Sequence, residues 1–133
     1  MSTLHEFGFA AEVGGLEVDL AEIERRYRGD RAGFWIAEQD SRLVGSVAVR
    51  PRDELTCELK RLYVSPESRG SGLGQKLYAH AEAFARTAGY RRIWLDSSRR
   101  FAQAHRLYRR NGFTLIAELK NDWEDNVYEK HLE

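Results

Sequence analysis

Between residues 69 and 74 the chain reads Arg-Gly-Ser-Gly-Leu-Gly, and an apolar pattern of helical spacing starts at once behind it. Each glycine gives up folding entropy, so their density there points to a need for bare backbone. The first turn of a helix leaves N–H groups without acceptors, and the helix dipole adds partial positive charge; together they attract anions. Glycines at that point remove the side chains that would hold a pyrophosphate away, and Arg69 adds a charged donor. A phosphate cradle is one reading. A flexible surface turn with a poor helix cap is the other, and one glycine-rich turn does not decide between them. The spacing excludes a P-loop, since no Gly-Lys-Ser/Thr follows. A dinucleotide-binding βα turn would want an acidic residue about 20 positions further on. Asp96 stands near that distance, but such domains continue with more parallel βα units, and this chain finishes with two adjacent strands.

The elements that must hold this turn can be read on either side of it. Leu73, Leu77, Ala81, Phe84 and Ala88 recur at spacings of three and four and predict a helix, which Gly89 ends. Upstream, residues 34–37 and 43–49 read as a hairpin across the polar turn 39–42, and a third strand runs over 56–64 after Pro51 and the Asp53-Glu54 turn. Alternation along that strand places Glu58, Lys60, Leu62 and Val64 on one face. Downstream, residues 93–95 form a short buried strand. Phe101, Ala104, Leu107 and Tyr108 mark a second amphipathic helix, ended by Asn111-Gly112. Residues 113–119 and 127–132 make two more strands around a carboxylate-rich loop at 121–126. Near the start, Asp19 caps a short helix with Leu20, Ile23 and Tyr27 on one side, and residues 1–18 form a loosely structured lead-in. The fold class is mixed α/β, with a central strand–loop–helix–strand crossover that should be right-handed.

Composition bounds what such a chain does. Its 133 residues suit one domain, 1–133, and 42% hydrophobic with 32% charged residues is globular composition. Lys+Arg and Asp+Glu are both 21, which argues against nucleic acid as the main partner while allowing a local basic pocket. The lone Cys57 can form no internal disulfide and no cysteine zinc cluster; it reads as a small buried hydrophobe. His5, His80 and His131 show no metal-ligand spacing, so no metal is expected. Without a signal pattern or an apolar run of membrane-spanning length, the expectation is a soluble, cytoplasmic protein with no membrane partner.

Three segments stand together in order: Glu58-Leu-Lys-Arg-Leu-Tyr-Val64, then Arg69-Gly-Ser-Gly-Leu-Gly74, then Ala104-His-Arg-Leu-Tyr-Arg-Arg-Asn-Gly-Phe113. This resembles the GNAT superfamily of acetyl-coenzyme A-dependent N-acetyltransferases. Arg69, Gly72 and Gly74 fit that family's loop signature. Ala104, Leu107, Tyr108, Gly112 and Phe113 fit a second one. The resemblance is firm over about 34–132. It implies a mixed, mostly antiparallel central sheet with flanking helices and, here, a shortened N-terminal part. Either the first strand is absent or a partner chain completes the sheet, as in a homodimer. It further implies acetyl-CoA as co-substrate and a primary amine of a small molecule or protein as acceptor, attacking directly in a ternary complex. The acceptor stays open, and so does a different class: a non-catalytic acyl-CoA-binding or interaction module of the same fold.

The resemblance also assigns residues. Backbone groups of Leu62, Tyr63 and Val64 would pair with the pantetheine arm like an added strand. The Leu62 N–H would polarise the acetyl carbonyl. Phosphates would sit on Arg69, Gly70, Ser71, Gly72, Leu73 and Gly74, with Gln75 at the next turn position. Tyr108 would protonate the departing sulfur, which suits a phenol of pKa about 10 facing a thiol of about 8.5. The competing reading is a core tyrosine. Glu58 lies where several members carry a general base; otherwise it is a strand carboxylate paired with Lys60 or Arg61. His105, one turn before Tyr108, could tune it but reads as a surface or partly satisfied histidine. The arginine pairs at 91–92, 99–100 and 109–110 read mostly as solvated element ends. One departure stands out: many members carry Asn seven residues before the tyrosine, and this chain has Phe101, leaving Ser97, Ser98 or Gln103 to replace its hydrogen bond.

Overall fold

The computed structural model describes residues 3–6, 29–99, 101–122 and 124–132. Among these residues, seven strands and two α-helices follow one another as β1 (Thr3–Glu6), β2 (Gly33–Gln39), β3 (Arg42–Pro51), β4 (Thr56–Val64), α1 (Leu73–Thr87), β5 (Arg92–Ser98), α2 (Ala102–Arg110), β6 (Thr114–Glu118) and β7 (Asp125–His131). A 3-10 turn, Pro66–Ser68, lies between β4 and the glycines. The strands form one sheet in the order β1-β2-β3-β4-β5-β7-β6. Every neighbouring pair is antiparallel except β4 and β5, which run parallel because α1 carries the chain over one face between them.

The expected order of strands and helices from residue 34 onward is the observed one. The β2–β3 hairpin turns at Asp40 and Ser41, both left-handed (φ 52 and 62), the geometry a two-residue hairpin loop requires. Residues 3–6, read in sequence as part of a lead-in, form a strand at the sheet edge beside β2. The first strand is therefore present. β5 spans seven residues where only the apolar run 93–95 was legible, because its second half, Asp96-Ser97-Ser98, is polar. The short helix expected over 19–27 lies outside the described residues.

The main core packs α1 on the sheet. Leu73, Leu77, Tyr78, Ala81 and Ala85 are the buried side of that helix, and they meet Val47, Val49, Cys57, Leu59, Ile93 and Leu95. Burying a side chain such as Leu77 stabilises by about 1.5–3 kcal/mol. On the opposite face a smaller cluster gathers Ala32, Phe34, Ile36 and Ala48. Polar contacts tie α1 to β7: the Tyr78 hydroxyl donates to Glu82 at 2.6 Å, and Lys130 and Arg86 also donate to that carboxylate.

Two irregularities of β4 set the shape of the sheet at its centre. The first is a bulge. Ser46 pairs with Tyr63 but Ala48 with Lys60, so an extra residue is accommodated between them, and Arg61 takes a left-handed φ of 57. The Ser46 hydroxyl donates to the Arg61 carbonyl at 2.6 Å and holds the bulge. Strict alternation, with Glu58, Lys60, Leu62 and Val64 on one face, therefore breaks at Arg61. Leu62 and Val64 join Cys57 and Leu59 against the α1 core, while Glu58 and Lys60 point to the other face. The second irregularity is a split. β4 pairs with β5 only at Thr56↔Arg92, Cys57↔Ile93 and Glu58↔Trp94. β4 stays with β3 to its end and β5 stays with β7, so the two strands part and the sheet opens between them.

Candidate active site

The split opens into a cleft of about 1110 Å³. One wall is the bulged half of β4, with Leu62, Tyr63 and Val64. The other is the polar end of β5 with α2. The glycine turn and the start of α1 close one end. Of the residues nominated from sequence, Leu62, Tyr63, Val64, Arg69, Gly70, Gly72, Leu73, Gly74, Gln75 and Tyr108 all line this cleft. Ser71 does not; its hydroxyl braces the turn from within, donating to the Ser68 carbonyl and accepting from the Leu73 amide. Glu58 does not line it either.

The turn has the geometry an anion requires. Gly70 and Gly72 have φ of 80 and 86, a conformation that residues with a Cβ resist. Gly72 is the helix cap and offers no side chain to bond the first turn, so the amides of Gly74 and Gln75 face an end with no intrahelical acceptor. Gly74 needs no special φ. A Cβ there would sit 3.6 Å from Val64 and 3.8 Å from Leu107, ordinary contact distances within the cleft. The fold would thus admit a methyl group here, among side chains that line the cleft. The Gln75 side chain is engaged elsewhere: it exchanges two hydrogen bonds with Asn111, at 2.9 and 2.8 Å, which fasten α1 to the end of α2. Arg69 donates to the Val64 carbonyl at 3.3 Å and remains exposed. Arg106 and Arg110 line the same cleft and add to its positive charge. A pyrophosphate-bearing ligand therefore fits the donors present.

Tyr108 is buried at 6% exposure and packs against Phe113 and Tyr128. Burial pushes its hydroxyl up to about 12, against a lowering hydrogen bond from Ser97; Tyr128 and Asp96 raise it further. It is thus a protonated phenol through the neutral range. His105, read as a surface or partly satisfied histidine, is instead buried with both ring nitrogens partnered: Nε2 donates to the Ser98 carbonyl and Nδ1 meets the Tyr128 hydroxyl, each at 2.7 Å. It locks α2 to β5 and β7 and so fixes the helix that carries Tyr108. Cys57 is fully buried, its thiol pushed up to about 12 by that burial, so it is inert packing. Phe101 is 63% exposed and lines the cleft mouth. Arg99 is no solvated strand end, since it donates to Asp125, Asn126 and Leu119 and pins the ends of β6 and β7.

The far face of the split carries charge that sequence reasoning partly missed. The Glu58 side chain is 8% exposed; its Oε1 lies 3.0 Å from both Arg50 and Lys60, and Oε2 lies 3.6 Å from Arg52. Arg52 also stacks over Trp94 at 3.7 Å. Lys60 reaches on toward Asp96, 3.8 Å away, and both line the cleft. The missed signal at Asp96 was its place: it follows the apolar run of a crossover strand, where a polar tail on a parallel strand borders a ligand site.

The profile of the acetyltransferase (GNAT) family matches residues 3–113. The uncharacterized N-acetyltransferase YjgM of Escherichia coli (strain K12) is 31% identical over 116 residues, 84% of this chain and 70% of that protein. The chain spans about half the length of several other curated N-acetyltransferases that it matches. Among solved structures, an acetyltransferase from Streptococcus agalactiae superimposes with a TM-score of 0.82 at 26% identity, over 98% of both chains. A GNAT family acetyltransferase from Elizabethkingia anophelis, with acetyl-CoA bound, shares the fold at a TM-score of 0.75 and 14% identity, again over 98% of both chains.

Proposed function

This chain belongs to the acetyltransferase (GNAT) family, and from that premise we propose that it moves an acetyl group from acetyl-CoA to a primary amine by direct attack in a ternary complex. One observation carries the reading: the bare-amide turn at 69–74 and the buried phenol of Tyr108 belong to the same cleft, at the place where the sheet parts. The turn would take the coenzyme's phosphates. The β4 edge at Leu62, Tyr63 and Val64, freed from β5 by the split, would take the pantetheine arm as an added strand. The Leu62 N–H would face the thioester carbonyl and gather the charge that develops there.

Tyr108 would give its proton to the sulfur as the C–S bond breaks. An alkylammonium has a pKa of about 10.4 and must shed protons to become a nucleophile. Glu58 is the base that the sequence nominates. Arg50 and Lys60 already hold one of its oxygens and Arg52 stands near the other, so Glu58 would meet the acceptor at most through water. The test is incubation with acetyl-CoA and a panel of primary amines and amine-bearing peptides, with released thiol as the readout. Acetylated product with stoichiometric thiol is expected. Coenzyme binding with no transfer to any amine would point instead to a non-catalytic module.

A further inference from the structure

We propose that Asp96 is the carboxylate that the acceptor meets, docking its ammonium group and taking its first proton; the inference rests on the acetyl-transfer reading above. The two faces of the sheet have different equipment. The glycine turn and Tyr108 belong to the side of α1 and α2. Glu58, Lys60 and Asp96 belong to the opposite side, and the parting of β4 from β5 joins the two sides in one cleft. A coenzyme entering along the glycines leaves the far side for the amine. There two carboxylates compete for it. Glu58 is nearly covered and already shares its oxygens among three cations. Asp96 is 29% exposed, lines the cleft, and among the described residues pairs with one cation, Lys60, at 3.8 Å, beyond hydrogen-bond distance. Asp96 also lies close enough to Tyr108 to act on its hydroxyl electrostatically. Base and acid thus flank the point where the strands part, and Glu58 is the covered counter-charge that steadies Lys60.

The protons balance. The ammonium gives one proton to Asp96, which passes it to solvent. The nitrogen lone pair forms the N–C bond, the C–S bond breaks, and its electron pair leaves on sulfur. Sulfur takes the Tyr108 proton, and the second proton shed by the nitrogen restores Tyr108.

An acceptor that is un-ionised at neutral pH, such as a hydrazide, needs neither docking nor the first proton transfer. Asp96→Asn is expected to cut kcat/KM for an alkylamine by about 100-fold or more, yet to leave the hydrazide within about threefold. Calorimetric affinity for CoA stays unchanged, and Asp96→Glu recovers part of the alkylamine rate. Glu58→Gln moves both acceptors alike. Asp96→Ser is read in the same way as the asparagine variant, so a folding defect in one substitution does not shield the idea. Equal losses for both acceptors, or none, overturn the role of Asp96 and leave acetyl transfer standing. A wild type that binds CoA but acetylates neither acceptor overturns acetyl transfer, and the role of Asp96 with it.

Discussion

At the scale of single residues, Tyr108 shows how burial fixes a side chain's protonation state. Taking a phenol out of water disfavours its anion, and the hydroxyl rises to about 12. The sign is plain: the donor form is the one present across the neutral and mildly alkaline range. Turnover is therefore expected to show no alkaline loss attributable to Tyr108 between about pH 7 and pH 10. Tyr108→Phe should lower kcat by about 100-fold or more while calorimetry finds CoA affinity little changed. An equal rate in the variant would remove the acid role. Tyr108 and the glycines were legible because each belongs to a short motif. Asp96, Lys60 and His105 were not, since their roles depend on a strand that parts from its neighbour and on a helix packed over it. No local pattern encodes either. Alternation misplaced the second half of β4 for a related reason: a bulge carried by Arg61 has no glycine to announce it.

At the scale of elements, α1 has two ends with different demands. Its start is where the coenzyme's phosphates would sit. Gly74→Ala should leave melting unchanged or raise stability by up to about 1 kcal/mol, yet weaken CoA by about tenfold or more, because the added methyl would stand beside Val64 and Leu107 in the cleft lining. A parallel loss of stability and affinity would mean that Gly74 serves packing instead. The middle of α1 is built for the sheet, through Glu82. Burial opposes its charge, but Lys130, Tyr78 and Arg86 together prevail and hold its carboxyl below the usual range. Such a group stabilises the fold above its unfolded pKa, and the contribution fades as pH falls through the lower folded value. Glu82→Gln should cost about 1–3 kcal/mol at neutral pH. The gap from wild type should close as the solution is acidified below about pH 4, as read from denaturant melts. A gap constant down to that acidity would exclude the ionic account. The amphipathic face of α1 was evident from spacing alone. Its bond to β7 was not, since Glu82 and Lys130 are far apart in sequence and ordinary in type.

At the scale of the whole molecule, a chain of zero net charge collects Lys60, Arg61, Arg69, Arg106 and Arg110 around one cleft. Overall neutrality hid a local field suited to a polyanionic coenzyme. Because that ligand would touch both β4 and α2, it should bind the native state alone. At about 100 times its Kd, CoA should add about 2.7 kcal/mol and raise the melting temperature on the order of 10 °C. No shift at saturating coenzyme would deny the cleft its ligand. The linear order of strands and helices was readable from periodicity and turns. The sheet's opening was not, because a ladder's length is decided by where neighbouring strands are pulled, and β3 and β7 do the pulling here.

That opening turns the short β4–β5 ladder into the spine of a half-open book. Three rungs of pairing carry the hinge between two leaves, and Cys57 and Ile93, fully buried beside each other, are its stitching. Enlarging either side chain would overpack the core under that spine. The anchorage of the gap thus depends on residues that line no part of it.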